Sequence, residues 1–223
     1  MALPTTRRGW TEIAVGAAQV LAALLTAPLL RRRYNRWGAL PHEVGAALPG
    51  DELVPAPRLG YTRAITVDAP VEAVWPWLVQ IGQGRGGLYS FDALENLFGF
   101  DLHSADTIRP DLQEPAVGER IRLAATEGAP AYEVERIDPP TTLVLLGGEP
   151  AGPRITWQWQ LRSVGGGRRT RLLVRQRLDH PPSQTVLWRL VEPVAFVMEQ
   201  RMLRGLARRA EGRALTPSGR RPR

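Results

Sequence analysis

The 223-residue chain contains no cysteine and no lysine. The first absence excludes disulfides, a thiol nucleophile and cysteine-based zinc sites. The second excludes Schiff-base chemistry, which needs a lysine amine. All 29 basic residues are therefore arginine, against 22 acidic ones, for a formal charge of +7. That balance would suit an anionic lipid surface or a nucleic acid. The arginines are scattered rather than striped, so the excess reads as compositional and no nucleic-acid partner is expected. Histidine is scarce, with three in the chain. His103 and Asp106 could form half of a metal site, but no third ligand stands at metal-site spacing, so no metal or cofactor is expected. Ser90 has no G-x-S-x-G setting, and no orienting acid links it to His103, which argues against a Ser-His-Asp hydrolase.

One long apolar run is present. Ile13 to Leu30 carries no charge over 18 residues, which just reaches the length of a membrane-spanning helix. Arg7 and Arg8 precede it, and Arg31, Arg32, Arg33 and Arg36 follow. Four arginines directly after the run oppose export, so a cleaved signal peptide fits poorly. The arginine excess on the C-terminal side implies a single-pass cell-membrane protein with its main domain in the cytoplasm and residues 11–36 in contact with lipid. Trp10, Tyr34 and Trp37 flank the run as interfacial aromatics would. The competing reading is an Ala-rich helix that lies on the domain or on the bilayer surface. The chain thus divides into 1–40, this helix with its arginine flanks; 41–60, a Pro- and Gly-rich linker or lead-in; 61–212, the main domain; and 213–223, a basic tail expected to be disordered.

Within the main domain, alternation predicts strands over 61–67, 120–126, 132–137, 142–146, 155–161 and 171–178. The strand over 155–161 is the most telling, since Ile155, Trp157, Trp159 and Leu161 share one of its faces. Helical spacing predicts a helix over 71–81, capped by Asp68 and kinked or briefly broken near Pro76, and a short one over 90–98 ended by Gly99. A long helix is expected from about Thr185 to Glu211, capped by Ser183. Its apolar seam would comprise Leu187, Leu190, Val191, Val194, Val197, Met198, Met202, Leu206 and Ala210. About six strands joined mostly by hairpins imply an antiparallel sheet. The expected fold is α+β: a curved sheet folded around the C-terminal helix, with two short helices after strand one and the hydrophobic helix in front.

The stretch Trp75 to His103 concentrates aromatics, a glycine-rich turn and polar side chains. Gly82, Gly84 and Gly87 spell G-x-G-x-x-G, but the preceding element reads as a helix, whereas a dinucleotide loop follows a strand. The run VWPWLVQIGQGRGGLYSFDALENLFGFDLHSADTI, Val74 to Ile108, resembles a branch of the SRPBCC superfamily, the START and Bet v 1-like helix-grip proteins. Members of that branch carry a polyketide cyclase/dehydrase-like label. Its pattern joins a W-P-W-L-V-Q-I-G helix, a G-x-G-G-aromatic-Tyr-Ser turn, a D-x-L-E-N helix and an I-H-S-A-D segment. This chain has Leu88 where an aromatic is usual and Leu102 where Ile is common. The resemblance covers residues 61–212. It implies a helix-grip fold with a cavity between sheet and helix, while such folds host both carriers and enzymes.

Candidate cavity residues are Trp157 and Trp159 with Met198 and Met202 across from them, an adaptable apolar pocket, joined by Trp75. Tyr89, Asp92, Glu95, Asn96 and His103 form the polar set expected at its mouth. The expected function is the binding or carrying of a hydrophobic small molecule, lipid-, polyketide- or isoprenoid-like, at the membrane. The alternative is a cyclase- or dehydratase-like enzyme using His103 with Tyr89 or Glu95 as acid and base.

Overall fold

Strand alternation and register build one sheet. A computed structural model describes residues 6–126, 128–148 and 152–212; the expected tail over 213–223 lies outside them. The strands are β1 (Leu59–Val67), β2 (Arg120–Arg122), β3 (Ala131–Asp138), β4 (Thr142–Gly148), β5 (Arg154–Val164) and β6 (Arg169–Asp179). They form an antiparallel sheet in the order β1-β6-β5-β4-β3-β2. An irregularity at Val134/Arg136 interrupts the β3–β4 register, a feature that bends and twists a strand pair. Cross-strand rungs place Tyr61, Gln176 and Trp157 side by side, and Arg63, Val174 and Trp159 on the next inward rung.

The helices are α1 (Arg7–Tyr34), α2 (Pro41–Gly45), α3 (Val71–Val79), α4 (Asp92–Leu97) and α5 (Thr185–Ala210). α5 lies in the concave face of the sheet, where Met202, Leu203, Leu206 and Ala207 join Leu143, Leu145, Trp159, Leu161, Leu172 and Val174 in the core. This is the helix-grip arrangement that the SRPBCC resemblance implies. Three local expectations are corrected. α3 is capped by Pro70 rather than Asp68, and α5 by Gln184 rather than Ser183. Pro76 does not end α3, which continues to Val79. Leu187, Leu190 and Val191 are exposed rather than part of the buried seam, because the first turns of α5 have α1 beside them instead of the sheet.

Residues 41–60 pack against the outer face of the sheet as an ordered strap. Three arginines of β6 hold it. Arg171 makes a two-pronged pair with Glu43 at 2.8 and 2.6 Å. Arg175 donates to the carbonyls of Glu43, Val44 and Ala46 and to Asp51 at 2.7 Å. Arg177 donates to the carbonyls of Val54 and Pro55. The planar guanidinium suits this role because it can satisfy several acceptors at once. Just upstream, Thr62 and Ala64 of the edge strand β1 donate backbone bonds to the carbonyls of Asn35 and Trp37, which covers that edge.

α1 is docked on α4 and α5. Its buried residues, Gly9, Gly16 and Ala23, recur every seven positions and let the helix axes approach closely. A Cβ built on Gly16 would stand 2.9 Å from Leu94 and 3.2 Å from Phe91. Phe91, Leu94, Phe196 and Val197 form the small core beneath it, and Tyr34 stacks on Phe196 at 4.4 Å. At the far end Arg31 pairs with the buried Glu192 at 2.7 Å. Gly16→Leu is expected to lift α1 from α4. Amide hydrogen exchange over residues 7–34 should then accelerate by about tenfold or more, with β4–β6 unaffected. Unchanged exchange in α1 would contradict this seat.

Candidate functional site

A cavity of about 160 Å³ lies between the sheet and α5. Leu88, Leu123, Trp157, Ala195, Met198 and Met202 give it apolar walls, and Tyr61, Ser90, Glu95, Tyr132, Gln176 and Glu199 contribute polar atoms. An engineered apolar cavity of about 150 Å³ accommodates benzene, so this space matches a single substituted ring. It is below the roughly 300–1,000 Å³ of drug-sized sites.

The polar wall is organised around a buried ion pair. Arg63 is fully buried on β1, and its Nη1 donates to Glu199 Oε2 on α5 at 2.8 Å. Glu199 Oε1 accepts from Tyr61 Oη at 3.0 Å and from Trp157 Nε1 at 3.1 Å. Arg63 Nε donates to the carbonyl of Tyr34 at 2.9 Å, and the guanidinium stacks on the Tyr61 ring. Gln176 donates to Tyr132 Oη at 3.1 Å. Burial first, and then the Glu199 charge, hold both Tyr61 and Tyr132 phenols above their ordinary value. Ser90 Oγ donates to the carbonyl of Met198 at 3.1 Å.

Glu95 stands outside this network. It is buried on α4, and its Oε2 has no hydrogen-bond partner among the described residues. Burial pushes its carboxyl from 4.5 up to about 8, with Asp92 and Glu12 adding repulsion. Its protonated form is therefore favoured near neutral pH.

The site residues expected from sequence separate into two groups. Trp157, Glu95, Met198 and Met202 line the cavity. Trp159 and Trp75 are core residues away from it; Trp159 packs behind Trp157 at 5.0 Å between rings. Tyr89 is buried and fully engaged, donating to the Trp77 carbonyl at 3.0 Å and accepting from Gln80 at 3.0 Å. Burial pushes its phenol up to about 12. Asp92 accepts from the Ser104 backbone and hydroxyl at 2.6 and 2.7 Å, and Asn96 clamps both backbone groups of Leu102. His103 corrects an expectation: its side chain is 79 % exposed and pairs with Asp101, away from the cavity. The backbone of His103 packs closely against Gly87. No cluster of three or more His, Asp or Glu able to hold a metal occurs among the described residues.

Sequence reasoning missed Arg63, Tyr61, Glu199, Tyr132 and Gln176. A signal existed. Arg63 alternates with Tyr61, Ile65 and Val67 on the apolar side of its strand, and Glu199 sits between Phe196 and Met202 on the buried face of α5. One buried cation and one buried anion imply each other, because neither is tolerated alone in a core.

No family model and no curated protein matches the chain. Solved structures do. MLL2253 from Mesorhizobium loti is 20 % identical, matching 70 % of this chain and 100 % of its own, with a TM-score of 0.43. The Polyketide_cyc-like protein Cgl2372 from Corynebacterium glutamicum is 14 % identical over 73 % of this chain and 97 % of its own, at 0.42. The hypothetical protein jhp0584 from Helicobacter pylori is 15 % identical over 72 % and 93 %, at 0.45.

The raised Glu95 carboxyl links stability to pH. Between about pH 4.5 and 8 the folded protein holds this proton while the unfolded chain releases it. Stability from this group therefore falls as pH rises through that window, by up to about 1.4 kcal/mol per unit. Urea unfolding from about pH 5 to 8 should show the slope in the wild type and a flatter profile in Glu95→Gln.

Proposed function

We propose that the protein binds and carries a small hydrophobic molecule, or a ring-sized part of one, in the cavity under α5. The observation that carries this reading is the space itself. A wide aromatic, Trp157, faces two flexible methionines, Met198 and Met202, across a void that no side chain fills. The enzyme alternative draws less support. It needed His103 beside Tyr89 or Glu95, and His103 points to solvent while the Tyr89 hydroxyl is committed to Trp77 and Gln80. Both oxygens of Glu199 are likewise engaged. Styrene is expected to quench Trp emission in a saturable way, and Ala195→Phe, which fills the void, should abolish the effect. A wild type that shows no saturable response to styrene overturns the carrier reading. Mass spectrometry of protein purified from its host would identify the natural occupant.

The same reading extends to the membrane. α1 is 28 residues long, with a mean hydropathy of 2.0 over its apolar window, long and apolar enough to cross a bilayer. A single-pass arrangement with a cytoplasmic domain requires α1 to leave its seat, exposing Phe91, Leu94, Phe196 and Val197 and unpairing Glu192. That cost favours a helix that stays docked and meets the bilayer sideways. Leu21, Leu25 and Leu29 of α1 and Val186, Leu187 and Leu190 of α5 are exposed, and Leu190 joins Leu24 and Pro28 around a cleft of about 380 Å³ between the helices. Arg189 lines that cleft beside the Arg31–Glu192 pair and is the charge that would attract anionic headgroups. Full-length protein should co-sediment with phosphatidylcholine vesicles containing phosphatidylglycerol and be released by alkaline carbonate. The double change Leu25→Ser with Leu29→Ser should weaken the association. Retention after carbonate would instead support spanning, and failure to sediment would overturn the membrane reading altogether.

A further inference from the structure

Among the buried polar side-chain atoms of the residues that line the cavity, Glu95 Oε2 alone lacks a hydrogen-bond partner among the described residues. Four of the neighbouring donors are committed: Tyr61 to Glu199, Ser90 to the Met198 carbonyl, Gln176 to Tyr132, and Trp157 to Glu199. A buried acid left unsatisfied is costly, and an apolar ring alone would leave it so. The missing partner is therefore most economically a ligand atom.

We propose that the cavity takes an uncharged, ring-sized ligand bearing a hydrogen-bond acceptor, a ketone, ester or ether oxygen, to which the Glu95 carboxyl group donates. This rests on the carrier reading and adds the polar half of the ligand. The charge around Glu95 supports it. Asp92 on α4 and Glu12 on α1 both repel an ionised Glu95, and among the described residues no ion pair reaches it. Arg201 on α5 acts on Glu12 rather than on Glu95. Across the cavity, Glu199 is matched by Arg63, while Tyr61 and Tyr132 keep their protons. A carboxylate ligand would meet repulsion here. An ammonium ligand would meet a neutral acid, with no charge to pair with until Glu95 had released its proton.

Calorimetric titration with acetophenone, styrene and benzylamine tests this. The first two are flat monosubstituted benzenes of similar size, and acetophenone carries the acceptor oxygen that styrene lacks. Near pH 6, acetophenone should bind about tenfold more tightly than styrene, the scale of one buried hydrogen bond. Above about pH 8, where Glu95 loses its proton, the preference should vanish. Glu95→Gln retains an N–H donor and should keep a preference that no longer depends on pH; Glu95→Ala should lose it at every pH. Styrene affinity reports on the integrity of the cavity in each variant. Equal binding of the two probes, unaltered in Glu95→Ala, overturns the inference while leaving the carrier reading intact. So does a preference for benzylamine that grows with pH. Binding of neither styrene nor acetophenone to the wild type overturns both.

Discussion

The buried pair between Arg63 and Glu199 is the constraint on which the rest of this structure depends. Removing two charges from water is expensive, and their attraction offsets that only with good geometry and further hydrogen bonds. Those bonds come from separate parts of the chain. Tyr61 and Trp157 satisfy one Glu199 oxygen, and the carbonyl at the end of α1 takes the Arg63 Nε. The pair thus fixes β1, β5, α5 and the base of α1 to one another. Removing one partner of such a pair typically costs about 3–5 kcal/mol, because the other is left charged in the core. It also puts a polar wall in what would otherwise be an apolar cavity, so the seat of α5 and the chemistry of the cavity have one origin.

The polar residues of the Trp75–His103 stretch serve mostly to hold the chain in shape. Gln80 ties the Tyr89 hydroxyl and the Thr107 carbonyl and accepts from the Arg109 backbone. Asp92 and Asn96 fasten the segment at 102–104. Gly82 and Gly87, both at positive φ, pair across the turn, which only a residue without Cβ does at little cost. Irregular backbone must find partners for its polar groups, and these side chains supply them. Glu95 stands apart because it faces the cavity with an atom to spare.

α1 combines two properties that its sequence shows only as one. Its apolar residues suffice for a membrane span, yet the side that docks is the side with Gly9, Gly16 and Ala23. Small residues permit close approach of the helix axes, while the leucines are left pointing outward. A hydrophobicity profile cannot separate these faces, because it averages around the helix.

The sequence by itself determined the six strands, the long helix and the α+β helix-grip architecture, since alternation and helical spacing record which side of each element is buried. It also marked Trp157, Met198, Met202 and Glu95, whose position on a face follows from local periodicity. Only the tertiary structure decided what those faces meet. The rung of Tyr61, Gln176 and Trp157 depends on strand order and register, which bring together residues 115 positions apart in the chain. The pairing of Arg63 with Glu199 depends on how α5 seats against the sheet, and the exposure of the His103 side chain is likewise a property of the folded chain. Local patterns specify which residues leave water; partners within the core are chosen by long-range packing, which no single segment encodes.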